Sequence, residues 1–229
     1  TIEPSVEVKF GGDFSLIVNG KLIANGMQDK MITFTSNKDQ PEAGDWNAIE
    51  FSGIQQSTLA FCSVKYARNG ITIKDGNVRI QNCEIGKNLE NGMTIENSAV
   101  EAKSNEIANN SENGIYITGD NQVTIQNNTI RANTNGILLT GNATTGVNIE
   151  ENIIVSSTLN GIQLSADEYS NIVILNNVLS ANNNGFYVSG QANTYITNNS
   201  ISYNTMGIFY ENGSDHVAYY NDIYGNDYG

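Results

Sequence analysis

Apolar and polar residues alternate in short runs along most of the chain, and the runs recur. Ile71-Thr72-Ile73, Met93-Thr94-Ile95, Ile115-Tyr116-Ile117, Ile137-Leu138-Leu139, Ile162-Gln163-Leu164, Phe186-Tyr187-Val188 and Ile208-Phe209-Tyr210 each follow a glycine. Those glycines, from Gly70 to Gly207, stand 22, 22, 22, 25, 24 and 22 residues apart, and all but the last are preceded by asparagine. A second series keeps step between them: Cys83, Asn105, Asn128, Asn152, Asn177, Asn199 and Asn221. Each lies two residues ahead of Ile85, Ile107, Ile130, Ile154, Leu179, Ile201 or Ile223. Period-two alternation bounded by Asn, Gly and Ser predicts short strands, and no stretch sustains a helical period.

One such unit is too small to bury its own apolar side, so the units must stack. Three strands and three turns in about 22 residues is the arithmetic of a right-handed parallel β-helix, with equivalent residues of adjacent coils about 4.8 Å apart. A leucine-rich horseshoe would show repeated leucines and a helical segment, and a propeller would need longer units with antiparallel strands. Upstream, Val6/Val8/Phe10, Leu16/Val18, Leu22/Ala24 and Ile32/Phe34 alternate less regularly. Residues 37–45, which contain Pro41, read as a loop leaving the stack, and Ala48–Phe51 falls 22 residues before Gly70–Ile73. The expectation is one all-β domain over residues 1–229, irregular over 1–45 and regular over 46–229, with about nine coils.

The repeat explains several residue choices. An inward asparagine at a turn can bond to its own coil and to the asparagine of the next, satisfying polar groups that would otherwise be buried unpaired. Asn105 to Asn221 are the expected ladder. Asn-Gly before the first strand of each coil is expected to supply the positive φ of a tight corner. Aligning Ser57-Thr58-Leu59 with Val78-Arg79-Ile80 sets Cys62 over Cys83 at the head of that ladder. Stacked free thiols are favoured there over a disulfide, because in-register Cβ vectors are poorly aimed at each other.

Composition then narrows the partners. The net charge is −13, from 11 Lys+Arg against 24 Asp+Glu, and every base lies at or before Arg131. Eight acids and no base follow it. With no basic stripe, nucleic-acid binding is excluded, and anionic membranes and polyuronates are disfavoured. No apolar run reaches the length of a membrane span, so no membrane insertion is expected. No cofactor is called for. Carboxylates beside asparagines offer oxygen ligands that Ca2+ accepts, but neither an EF-hand nor a nonapeptide calcium repeat is present. The opening at Thr1 without a signal-peptide pattern reads as a processed or excised piece. Tyr219, Tyr220, Tyr224 and Tyr228 at an uncapped end suggest adjoining domains of a parent protein, or end-to-end association.

At the N-terminus, Thr1–Phe10, Ile32–Ser36 and Trp46–Phe51 resemble the opening coils of secreted right-handed β-helix proteins. The later NG-I-x-I and V-x-I-x-N-N units resemble the repeats of bacterial and archaeal surface proteins and carbohydrate-active enzymes. The resemblance implies the fold and an extracellular or cell-surface location. It leaves function open, because the scaffold hosts lyases, hydrolases, epimerases and non-catalytic stalks. It also implies that polysaccharide lies along the face of the first strands.

On that face the outward residues are Glu50, Thr72, Thr94, Tyr116, Leu138, Gln163, Tyr187 and Phe209, in which aromatic platforms with polar edges suit an extended glycan. Tyr116, Gln163, Tyr187 and Phe209 are the candidate glycan-binding residues. The turn after the same strand is expected to carry Asp75, Glu96, Asp120, Asn142, Asp167, Gln191 and Glu211 as a second row, with Glu168 and Asp215 near. Carboxylates one coil apart would stand near the ~5 Å of retaining glycosidases, and two coils apart would approach the inverting range. Asp120, Asp167 and Glu211 are thus the catalytic candidates, while solvation of turns explains the same acids without chemistry. His216 aligns with inward positions, so no triad can be built on it. No metal site is called for. Three readings stand: a carbohydrate-interacting module, a structural spacer of a surface protein, and a polysaccharide hydrolase or lyase fragment.

Overall fold

The computed structural model describes residues 1–141, 145–166, 171–190, 193–211 and 217–229. Among them the chain is an all-β parallel solenoid of about nine turns, with three strands per coil and no helix. The first sheet runs from Leu16–Val18 through Ile49–Phe51 to Met206–Glu211. The second runs from Ile23–Asn25 to Val217–Tyr219, and the third from Glu7–Phe10 to Asp222–Tyr224. Every strand pair in the sheets is parallel and joins one coil to the next, as the repeat spacing requires.

Alternation sends every second residue inward, and stacking then turns each inward position into a column. Ile71, Met93, Ile115, Ile137, Ile162 and Phe186 form one column of the first sheet, all fully buried. Ile85, Ile107, Ile130, Ile154, Leu179 and Ile201 form the single inward column of the third. Burying each such side chain contributes roughly 1.5–3 kcal/mol, and no coil could bury its column without a neighbour. In the N-terminal coils Trp46 completes the core, stacked on Phe10 with ring centroids 4.1 Å apart and donating Nε1–H to Lys65 O at 2.8 Å. Residues 37–45 carry no strand; Asp45 fastens this loop through Ser36 Oγ (2.7 Å) and Lys38 Nζ (2.5 Å).

The expected asparagine ladder is present at the corner between second and third strands. In Asn105, Asn128, Asn152, Asn177 and Asn199 the backbone N–H and Nδ2 both donate to Oδ1 of the next asparagine, at 2.9–3.0 Å. Cys83 N–H donates to Asn105 Oδ1 (2.9 Å) and Cys62 N–H to Cys83 Sγ (3.4 Å), so the two cysteines head the ladder as free, buried thiols. The contact with Cys83, and then burial, push the Cys62 thiol far above the ordinary range.

The Asn-Gly corners differ from expectation. Their glycines and asparagines do not have positive φ. That conformation falls instead on the residue before each ladder position, including Asn82, Ser104, Asn127, Glu151, Asn176 and Asn198 at φ 53–58°. The glycines are there for space. A Cβ on Gly92 would meet Gly114 O at 2.6 Å and the ladder amide of Asn110 at 2.9 Å. The asparagines of these dipeptides form a ladder of their own with reversed polarity: Asn113, Asn135, Asn160 and Asn184 each donate Nδ2 back to Oδ1 of the preceding coil, at 2.7–2.9 Å.

A third ladder, Asn88, Asn110, Asn133, Asn182, Asn204 and Asn226, follows the third strand. It breaks at Ser157, which is buried and whose Oγ has no hydrogen-bond partner. Ser157 N–H still reaches Asn182 Oδ1 at 2.9 Å, so the backbone already holds the geometry an asparagine needs. Ser157→Asn is therefore expected to close the ladder and stabilise the protein by about 1 kcal/mol, read as a higher denaturant midpoint. A lower midpoint would show that the position cannot accept the longer side chain.

Candidate functional site

The sequence places one outward residue of each first-sheet strand in a row, and the register makes that row a column. Glu50, Thr72, Thr94, Tyr116, Leu138, Gln163, Tyr187 and Phe209 are successive partners, with Ile17 (62% exposed) above them. Beside it runs a second outward column: Lys74, Glu96, Thr118, Thr140, Ser165, Ser189 and Glu211. The strands lengthen along the sheet. Ile71–Lys74 and Met93–Glu96 have four residues, whereas Asn113–Thr118 has six and Asn135–Gly141, Asn160–Ala166 and Asn184–Gly190 have seven. From Tyr116 onward the first sheet is thus a broader platform with two parallel columns of outward-facing groups.

The polar groups of the platform bond to one another across coils. Tyr116 Oη and Thr140 Oγ1 share a hydrogen bond of 2.9 Å, and Ser165 and Ser189 hydroxyls share one of 2.8 Å. Gln163 accepts from Asn160 Nδ2 at 3.0 Å and donates to Ser165 Oγ at 3.2 Å, tying the column to the reversed asparagine ladder. The Tyr187 and Phe209 rings stack with centroids 5.4 Å apart and planes 24° off parallel, so each ring turns one face to the other. The Tyr187 hydroxyl donates to Glu211 Oε2. That bond, then burial and the carboxylate's charge, hold the Tyr187 phenol above the ordinary tyrosine range. These bonds fix rotamers in advance, which lowers the entropy cost of holding a ligand.

The four candidate glycan-binding residues therefore share one column. The carboxylate candidates are less orderly. Glu96 and Glu211 belong to the hydroxyl column of the strands and not to a turn row with Asp120. Lys74 faces Glu96 at 3.0 Å. Asp120 sits on the turn between Thr118 and Gln122, where its N–H donates to Asn97 Oδ1 at 3.0 Å. Ser98 N–H reaches Asn121 Oδ1 at 2.9 Å, a step of 23 residues, so Asp120 is the inserted residue of its coil and has no equivalent position in the coil before. Asp167, with Asn142, Glu168, Gln191, Asp215 and His216, lies outside the described residues.

The hydroxyl column of Thr118, Thr140, Ser165 and Ser189 escaped the sequence reading. Its signal was a Thr or Ser immediately after the inward residue in four consecutive units, where earlier units have Lys74 and Glu96 and the last has Glu211. Lys74 apart, the columns carry no base. On the outer face of the third sheet, Lys65, Arg131, Glu84 and Glu106 border an open depression of about 170 Å³. There Lys65 pairs with Glu84 at 2.6 Å and Arg131 with Glu106 at 2.5 Å, while Lys87, also on the border, lies 5.6 Å from the Tyr66 ring centroid.

A search of curated proteins found no match. Among solved structures, a point mutant of the periplasmic alginate epimerase AlgG superposes with a TM-score of 0.54 at 13% identity, covering 96% of this chain and 79% of that one. A second crystal structure of AlgG gives 0.51 at 14% identity, over 95% and 76%. Endopolygalacturonase I from Stereum purpureum, complexed with two galacturonate, gives 0.34 at 12% identity, over 100% and 97%. At these identities the AlgG likeness is one of fold. The family model described as right handed beta helix region matches residues 47–195 and 142–229, and the chain belongs to that family.

Proposed function

We propose that this chain is an extracytoplasmic carbohydrate-binding β-helix, holding an extended glycan along the first sheet from Tyr116 to Phe209. The observation that carries the proposal is the pair of adjacent columns, one rich in aromatic and amide groups and one of hydroxyls, on the widened part of that sheet. Successive ligand-facing groups are spaced by the coil repeat, about 4.8 Å, a step comparable to the advance of an extended pyranose chain. Apolar aromatic rings with a phenol hydroxyl, next to hydroxyls that both donate and accept, match a sugar's own mixture of C–H and O–H groups. The fold shared with a periplasmic alginate epimerase supports a carbohydrate-related role and an extracytoplasmic setting.

Affinity gel electrophoresis in a panel of soluble polysaccharides tests this reading. At least one polymer should retard the protein, and Tyr187→Ala should weaken that retardation about five- to tenfold by removing the ring and its bond to Glu211. No retardation by any polymer, or retardation unchanged by Tyr187→Ala, contradicts it and leaves the spacer reading. The hydrolase or lyase reading is tested by Asp167→Asn and Glu211→Gln on the same polymers. Turnover by wild type that is lost in either variant would support that reading.

A further inference from the structure

Resting on the glycan-binding reading, we infer that the platform takes an uncharged glycan and rejects polyuronates. A polyuronate carries a carboxylate on every sugar, and lying along the first sheet it would bring several of them against the coils. Each then needs a cation, because an anion withdrawn from water without a partner is strongly disfavoured. The columns supply none. From Tyr116 to Phe209 the first column holds Tyr, Leu, Gln, Tyr and Phe, and from Thr118 to Glu211 the second holds four hydroxyls and a carboxylate. The base of the second column, Lys74, precedes the platform and faces Glu96 at 3.0 Å. Arg131, the last base in the sequence, belongs to the third-sheet strand Thr129–Arg131 and pairs with Glu106. Beyond it eight acids meet no base, so the field over the whole C-terminal part repels anions.

What the platform does offer is suited to neutral hydroxyls. Thr118, Thr140, Ser165 and Ser189 donate or accept as needed, and Gln163 does both through its amide. The carboxylate of the second column, Glu211, already accepts from Tyr187 and can receive sugar O–H groups at its remaining lone pairs.

Isothermal titration with neutral hexamers of glucose, mannose and xylose, and with hexagalacturonate, at low and high ionic strength, decides the matter. A neutral hexamer should bind with an affinity that salt leaves unchanged, and hexagalacturonate should not bind at low salt. Hexagalacturonate binding as tightly as every neutral hexamer overturns the inference while sparing the glycan-binding reading. Binding of none of the four overturns both. A gain-of-function variant gives an independent check. Ser165→Lys puts one cation in the middle of the platform and should make hexagalacturonate binding measurable at low salt, where wild type shows none, and high salt should abolish that binding. No gain in Ser165→Lys also counts against the inference, since it would show that missing cations are not what keeps uronates away.

Discussion

Asn152→Ala is expected to be among the most destabilising single substitutions in the molecule, at about 3–5 kcal/mol. Asn152 is 1% exposed and its amide makes four hydrogen bonds in the ladder. It accepts from Asn128 N–H and Nδ2, both at 2.9 Å, and donates to Ile125 O at 2.9 Å and Asn177 Oδ1 at 3.0 Å. Alanine leaves the Asn128 N–H in the interior with no replacement, an orphan that costs roughly 1–3 kcal/mol, and it also removes the Asn128 Nδ2, Ile125 O and Asn177 Oδ1 bonds at about 1 kcal/mol each. The loss should lower the thermal midpoint by on the order of 10 °C. Asn148→Thr, on the outer side of the second sheet four residues away, should stay within about 0.5 kcal/mol of wild type. Equal midpoints for Asn152→Ala and Asn148→Thr would mean that the ladder contributes nothing beyond ordinary polar contacts.

Gly136→Ala is the second large effect, expected at about 2–3 kcal/mol. A Cβ there would stand 2.4 Å from Ile154 Cγ2 and 2.5 Å from Gly161 O. The carbonyl belongs to the next coil's glycine and cannot retreat without opening the parallel pairing of Asn135–Gly141 with Asn160–Ala166. Because Gly136 does not occupy the left-handed region, the cost is one of space and not of backbone conformation. Asparagine, which tolerates positive φ well, distinguishes the two causes. Gly136→Asn should be at least as damaging as Gly136→Ala in urea denaturation. If asparagine were well tolerated and alanine not, a conformational requirement would have to replace the steric one.

The coil length, the three sheets and the inward columns were legible because a solenoid repeats its packing problem. Ile85, Ile107, Ile130 and Ile154 answer the same inward position in successive coils, so the spacing of identical residues is itself the register. The first-sheet column from Glu50 to Phe209 followed directly, since strand alternation alone decides which residue points out. The Asn-Gly dipeptide misled because it carries two meanings. In a hairpin it marks positive φ, but here the asparagine bonds along the axis and the glycine clears the neighbouring carbonyl. The ladder after the third strand was hidden by Ser157, which interrupts an otherwise regular series from Asn88 to Asn226. The acids were misplaced because turns accept insertions that strands do not. The extra residue Asp120 shifts its coil from 22 to 23 residues, and following the acids from coil to coil lets the offset from the glycine vary, which mixes strand positions such as Glu96 and Glu211 with turn positions such as Asp120.

The most direct measurement is amide and aromatic NMR mapping of the protein titrated with the hexasaccharide it binds best. Shift changes should gather on Tyr116, Thr140, Gln163, Ser165, Tyr187 and Phe209, one contact after another up the first sheet, while the outer residues of the second and third sheets stay still. Changes centred instead on the third-sheet depression around Lys65 and Arg131, or scattered over all three faces, would contradict a glycan track on the first sheet.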